Sequence, residues 1–430
     1  MRIKISFFIA FAMLSLGSFA QNENTTSPYS RYGLGDITPQ SFGRSAGMGG
    51  VSYGSRDKVQ VNFANPASYS AIDSLSFIFE AGINGKFTNM KDNLGSQNNH
   101  NINLSYFSLS FPISHRWGAA IGLCPYADKG YELQESLSSN VLDTIQNRYL
   151  GTGTLSKFFI GNSFYITKNL SVGVNINYIF GNLSHLTYNN FSSGTSSEEA
   201  FSVETSDNTR YRNFSFEYGL QYKIELNKKK SLTLGAVYQA PFTFAAEYYQ
   251  QKYRILLGTS SADTIFSVVN IPNGRVKVPG SIGVGFMYEV KDKLSVGADF
   301  KTQNWEKATF LGSKDPNLTT LRSGNVGLEY IPNKFSLKSY LAHVSYRIGA
   351  RYSETYVTVN DHQIKEYGLT MGLGLPLVNA TKSMHNSLMN IALEIGKRGT
   401  TSYGLLQENY AKICVSFSLY ENWFIKRKFD

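Results

Sequence analysis

From about Leu75 onward, apolar and polar residues alternate with a period of two, the mark of strands whose two faces meet different surroundings. Leu170, Val172, Val174, Ile176, Tyr178 and Phe180 share one face of such a run, and Ser171, Gly173, Asn175 and Asn177 share the other. The next run repeats the pattern: Phe214, Phe216, Tyr218, Leu220, Tyr222, Ile224 and Leu226 alternate with Asn213, Ser215, Glu217, Gln221, Lys223 and Glu225. Further runs follow at 282–290, 294–300, 342–352, 367–377 and 413–419. They are about nine to fifteen residues long, longer than the five or six of a soluble sandwich and matched to strands tilted across a bilayer. Tyrosines near several strand ends (Tyr178, Tyr222, Tyr288, Tyr330, Tyr352) suit an interfacial aromatic girdle. In lipid every backbone polar group must be paired within the protein, so the sheet has to close. The pattern predicts an all-β fold, a transmembrane antiparallel up-and-down β-barrel.

Connection lengths refine this picture. Short ones fall at 114–116, 167–169, 227–230 and 291–292, and somewhat longer ones at 332–338 and 378–385. Long ones fall at roughly 89–100, 126–153, 182–210, 253–278, 304–322, 354–363 and 397–408. Short periplasmic turns opposite long external loops give about fourteen strands, with the N- and C-termini both periplasmic. Near 231–252, Pro241 interrupts the alternation, which reads as either a kink or an extra strand. The run from Tyr410 to Tyr420 is a candidate closing strand, although the chain continues past it into Glu421-Asn422-Trp423-Phe424 and a basic tail.

Upstream of the strands the chain changes character twice. Residues 1–20 read as a cleavable signal peptide: Arg2 and Lys4, then an apolar core from Ile5 to Leu16, then Ser18-Phe19-Ala20. Gly43 to Ala67 is too glycine-rich for a helix and too polar for a membrane strand, and it ends in Phe63-Ala64-Asn65-Pro66-Ala67. It reads as a compact plug enclosed by the barrel. The layout expected is a signal at 1–20, an N-terminal extension and hatch at 21–72, the outer-membrane barrel at 73–420, and a basic tail at 421–430.

Composition agrees and excludes alternatives. Charged residues are 17%, below the roughly 25% of soluble domains, and aromatic residues are 14% with 28 Tyr and 29 Phe, as a sheet with one apolar face requires. No run of about 18 apolar residues exists for a transmembrane helix. The net charge of +10 invites a nucleic-acid partner, but the secretory signal and the lack of a compact basic cluster with interleaved aromatics argue against one. Lys228-Lys229-Lys230 and Lys426-Arg427-Lys428 read as solvated turns or as contacts to anionic lipid headgroups. Cys124 and Cys414 are too few for a disulfide scaffold and belong to no metal-binding cluster. No metal or cofactor is expected.

Three motifs, in order, resemble the FadL-type outer-membrane transporters of long-chain fatty acids and other hydrophobic compounds. The first is Gly47-Met48-Gly49-Gly50 followed by Phe63-Ala64-Asn65-Pro66-Ala67. The second is Val278-Pro279-Gly280-Ser281-Ile282-Gly283-Val284-Gly285, leading to Gly297-Ala298-Asp299-Phe300 and Trp305. The third is Tyr346-Arg347-Ile348-Gly349-Ala350-Arg351-Tyr352, then Tyr367 to Pro376. Ser27 to Asp36 looks like the opening of a distinct branch, whose relatives include partners in secretion or outer-membrane assembly. The resemblance implies a hatch held near Asn65-Pro66-Ala67, passive uptake of a small fatty-acid-like ligand from outside, and a sideways exit through a gap in strand pairing. The alternative is an accessory barrel, embedded among outer-membrane lipids, that scaffolds a secretion or assembly complex.

The candidate site is therefore Gly47, Met48, Gly49, Gly50, Phe63, Asn65, Pro66 and Ala67, each also readable as an ordinary turn or wedge of the plug. Gly47-x-Gly49-Gly50 lacks the strand-then-helix context and the Lys-Ser/Thr of a phosphate loop. Among the charges that parity turns inward, Arg347 and Arg351 are candidate contacts for a ligand carboxylate, or they pair within the lumen. Of six histidines only His343 reads as a strand residue; it merely shares a face with Ser345, and no catalytic constellation is apparent.

Overall fold

The structure, a computed structural model, describes residues 25–93, 95–137, 144–192, 201–256, 262–336, 338–377 and 387–422. The signal peptide (1–20) and all but the first two residues of the basic tail lie outside them. One antiparallel sheet contains β1 (Asp36–Ile37), β2 (Ser76–Lys91), β3 (Ser96–Ser114), β4 (Trp117–Leu137), β5 (Thr144–Tyr165), β6 (Leu170–Ser192), β7 (Phe201–Asn227), β8 (Lys230–Gln239) and β9 (Phe242–Leu256). It continues through β10 (Ala262–Val278), β11 (Ser281–Val290), β12 (Leu294–Asn304), β13 (Thr309–Phe310), β14 (Thr320–Tyr330), β15 (Ser345–Val359), β16 (His362–Pro376), β17 (Leu388–Gly399) and β18 (Gln407–Asn422). β18 pairs with β2 from Asn422–Ser76 to Gln407–Lys91, which closes the barrel. The candidate closing strand therefore is one, and it runs two residues past Tyr420.

The wall has fourteen strands. β1 and β13 are two-residue additions inside it, and two wall strands are each broken in the middle. β8 and β9 are one such strand, kinked at Ala240-Pro241, where proline cannot donate to a ladder. β10 and β11 are the other, broken at Pro279-Gly280. The upper halves pair with each other, as do the lower halves. Of the two readings of Pro241, the structure takes the kink.

The predicted parity holds where the chain crosses the membrane. Ile282, Val284 and Phe286 face outward while Ser281, Gly283 and Met287 are buried inside. The long loops are a different matter. Most of 126–153, 182–210 and 253–278 is strand, and β7 runs 27 residues against 11 in β12 and β14. At about 3.3 Å per residue and a tilt near 40°, β7 rises roughly 70 Å, well beyond an apolar band about 25 Å tall. The barrel thus carries a one-sided wall beyond the membrane, from β4 to β10. Sequence alone read these parts as loops because their apolar face ends with the lipid; the hairpin ladder continues in water. His100, His185 and His362 accordingly lie in strands, whereas His343 sits in the turn before β15.

Ladder pairing fails between β3 and β4. β3 pairs with β4 only between Phe107 and Ser114, and above that, Ser96–Tyr106 pairs with β2 alone. The register of β4 on β5 slips between Pro125 and Ala127. Beyond that bulge Tyr126 to Tyr131 are all buried, on both faces of the strand. A wall strand buries alternate residues, so β4 has bent inward out of the wall, leaving an open seam beside β3.

Candidate functional site

The lumen is filled from below by the hatch. Pro66–Ala71 forms a 3-10 turn capped by Asn65, whose side-chain oxygen accepts from Ala67 N–H at 3.1 Å. The Asn65 amide donates to the carbonyls of Tyr53 at 2.8 Å and Leu220 at 3.3 Å, joining the turn to the rest of the hatch and to β7. Phe63 is buried against Phe42, Tyr106 and Phe159, a wedge between hatch and wall. Gly49 and Gly50 have positive φ, 68° and 92°, where a side chain is strained. Met48 and Gly49 lie against Gly349 and Gly327 of the wall, so closely that a Cβ on Gly349 would sit 2.3 Å from Gly49 N. Thr370 Oγ1 accepts from Gly49 N–H at 2.8 Å and donates to the Gly47 carbonyl at 3.1 Å. The eight predicted hatch residues lie in two separate places within the barrel, Gly47 to Gly50 against β14 to β16, and Phe63 with Asn65 to Ala67 against β3 and β5 to β7.

Two charged groups outside the predicted hatch residues hold this hatch. Arg44, 5% exposed, reaches Glu329 at 2.9 Å, Asp57 at 3.4 Å and Glu289 at 3.5 Å. Burial would lower the guanidinium's pKa, but Glu329, Asp57 and Glu289 outweigh that and raise it above its ordinary value. Asp299 Oδ2 accepts from the backbone N–H groups of Ser52 at 2.6 Å and Tyr53 at 3.0 Å. Asp299, Glu289 and Glu329 fall on inward-facing positions by strand parity, but nothing in the sequence paired the two glutamates with Arg44 or Asp299 with the amides of Ser52 and Tyr53.

The candidate ligand arginines face the lumen as expected, and each meets carboxylates of the chain itself. Arg347 bonds Glu329 at 2.6 Å and Asn390 at 2.7 Å. Arg351 bonds Glu394 at 2.5 Å and also Glu366 and the Tyr410 hydroxyl. Their forks are already occupied.

Above the hatch the lumen is apolar, and the chain's own start occupies it. Residues 25–38 form a strap along the open seam. Its β1 pairs with the freed edge of β4, Asp36 opposite Asp128 and Ile37 opposite Ala127. The Thr38 N–H donates to the Tyr126 carbonyl at 3.0 Å, and the Ser30 hydroxyl donates to the Gly130 carbonyl and accepts from the Gly130 N–H, both at 3.0 Å. Gly35, at φ 94°, lies where a Cβ would strike the Asp128 carbonyl oxygen at 2.4 Å. Arg398 pairs with Asp36 at 2.8 Å, and the Tyr356 hydroxyl donates to the carbonyls of Tyr32 and Gly35. Tyr29 and Leu34 are buried in one cluster with Leu155, Ile179, Phe244, Trp305 and Tyr356. Lys129, 3% exposed, lies beside the strap and points its Nζ at the Gly33 carbonyl (3.4 Å) and His185 Nε2 (2.6 Å).

A closed fourteen-stranded wall with an internal hatch and a polar anchoring layer has the fold of the FadL-type barrels, in a divergent form. The chain matches the BamG family model over residues 1–430 and belongs to that family. Solved structures share the fold at low identity. The toluene transporter TodX of Pseudomonas putida has a TM-score of 0.58 at 15% identity, over 90% of this chain and 100% of that one. The toluene transporter TbuX of Ralstonia pickettii has a TM-score of 0.55 at 16% identity, over 89% and 99%. A FadL homologue of Pseudomonas aeruginosa has a TM-score of 0.54 at 13% identity, over 90% and 99%. No curated protein matches the chain.

Proposed function

We propose that this barrel works with its lumen closed, as an outer-membrane accessory protein that scaffolds an assembly or secretion complex. The observation carrying this reading is the strap: Tyr29 to Ile37 fill the apolar upper chamber and pair with the edge of the open seam. A channel for hydrophobic molecules needs that chamber for its ligand and that seam for its exit. The paired forks of Arg347 and Arg351 fit the same reading, because the chain's own carboxylates occupy both and neither is left for a ligand carboxylate. Under it, Gly47 to Gly50, Phe63 and Asn65 to Ala67 lock the plug, the C-terminus faces the periplasm while residues 25–38 stay above the hatch, and no catalysis takes place.

A second reading is supported by the seam itself. Passive uptake of a small hydrophobic molecule is possible if the strap leaves, since an apolar molecule would then pass sideways into lipid without crossing an aqueous pore. The toluene transporters that share the fold make this the natural competitor.

Purification from native outer membranes in mild detergent, with mass spectrometry of bound lipids and co-purifying proteins, separates the two. Scaffolding predicts a stable protein partner and an empty lumen. A stoichiometric small hydrophobic ligand, lost when Asn65 and Phe63 are substituted, would support uptake instead.

A further inference from the structure

The outer surface of the wall has a groove that the lumen readings leave unused. It crosses the closing seam from β15 through β16, β17, β18 and β2 to β3, with a volume of about 940 Å³. Ladder register places its lining in levels. At the upper level Lys397 stands opposite Asn409, Asn409 opposite Asn89, and Asn89 opposite Asn98. One level down, Leu369, Ile395, Ala411 and Phe87 stand in the same succession. Phe87, Ile395 and Leu369, on the outward-facing side of their strands, are 59%, 60% and 67% exposed, and Ala411 forms a low floor between them.

The upper level is at headgroup height. Tyr367, directly opposite Lys397, faces outward and packs on the ring of Tyr352, as in an aromatic girdle. The groove is thus polar at the interface and apolar toward the bilayer centre. Its lining contains no Asp or Glu, while Lys397 brings a cationic group and four asparagines, Asn99 included, bring amides. We propose that the groove is a binding site for one membrane lipid whose phosphate headgroup carries a net negative charge, which a zwitterionic headgroup does not. An acyl chain lies along Ala411 between Ile395 and Phe87, and the phosphate meets Lys397 and the asparagine amides. A phosphate accepts hydrogen bonds and carries the charge that the lining lacks. A glycerophospholipid and a phosphorylated outer-leaflet glycolipid both offer this chemistry.

The test uses full-length mature protein in nanodiscs of phosphatidylglycerol, phosphatidylcholine of the same chains, or phosphatidylcholine doped with lipid A. Lipid retained after transfer to detergent is counted by native mass spectrometry. One lipid per chain is expected, with phosphatidylglycerol or lipid A retained at least about fivefold over phosphatidylcholine, and the stronger of the two identifies the source. Ala411→Trp fills the floor from the lipid side, and heat-modifiable migration on gels checks that its barrel is intact. It should lose the lipid, whereas Lys397→Gln should keep a lipid but lose the preference. Equal retention by wild type and by folded Ala411→Trp overturns the proposal. So does a photo-crosslinker at position 395 that captures a protein, and no lipid, in cells.

Discussion

At the scale of single residues, the hatch is held by shape at some points and by charge at others. Gly349→Ala places a Cβ against the backbone of Met48 and Gly49, which no rotamer change can relieve. The hatch should shift and become sensitive to protease between 43 and 66. Gly324→Ala, on the preceding wall strand with nothing within 4 Å of its Cβ, should leave it protected. Arg44→Ala removes the one cation that bridges Glu329, Asp57 and Glu289, leaving buried carboxylates with reduced compensation. A loss on the order of 3–5 kcal/mol is expected. It would be measured as an earlier unfolding midpoint in detergent, with Glu329→Gln, which keeps most of the shape, less damaging.

At the scale of elements, the strap and the bent end of β4 form one unit, and Lys129 makes it sensitive to pH. Lys129 lies above the kink, outside the membrane-crossing part of β4. Burial pushes its ammonium down to about 7, with Asp315 opposing the shift and Arg31 adding to it. Once the strap leaves, water reaches the lysine and its pKa returns toward about 10.4. The docked state therefore binds fewer protons between those two values, and docking strengthens as pH rises from about 7 to 10. Below about 7 both states are protonated and the trend flattens. A spin label at Pro39→Cys, with Cys124 and Cys414 replaced by alanine, should become less mobile from pH 7 to 9. Lys129→Met should abolish the change, and a flat wild-type response would reject this account.

At the scale of the whole molecule, the same barrel architecture accommodates two uses, and the strap decides between them. Deleting residues 25–38 removes β1 from the seam and Tyr29 and Leu34 from the apolar cluster, while the wall and hatch contacts remain. In liposomes the intact barrel should pass no more toluene-like probe than empty vesicles, and the deletion variant should pass severalfold more. High flux through the intact barrel would instead make the strap a mobile element of a working channel. The tall one-sided wall from β4 to β10 stands over the strap, so an external partner that bends those hairpins would act on the same seam.

The sequence by itself determined the barrel, its fourteen strands and the outward face, and marked an irregular segment ahead of the strands. Those features follow from local rules: period-two alternation fixes the faces, a bilayer fixes the length, and Gly and Asn-Pro mark irregular backbone. It also singled out Ser27 to Asp36 and the inward charges, without saying what they touch. Only the tertiary structure decided that the start of the chain closes the seam, because β1 and β4 lie about ninety residues apart and pair solely after Pro125 has bent β4 out of the wall. It alone decided the partners of Arg44, Arg347 and Arg351, since a side chain's parity gives its direction and not the charge it meets across a lumen. The extent of the external wall was likewise hidden: in water a paired strand needs no apolar face, and without one its residues read as loop.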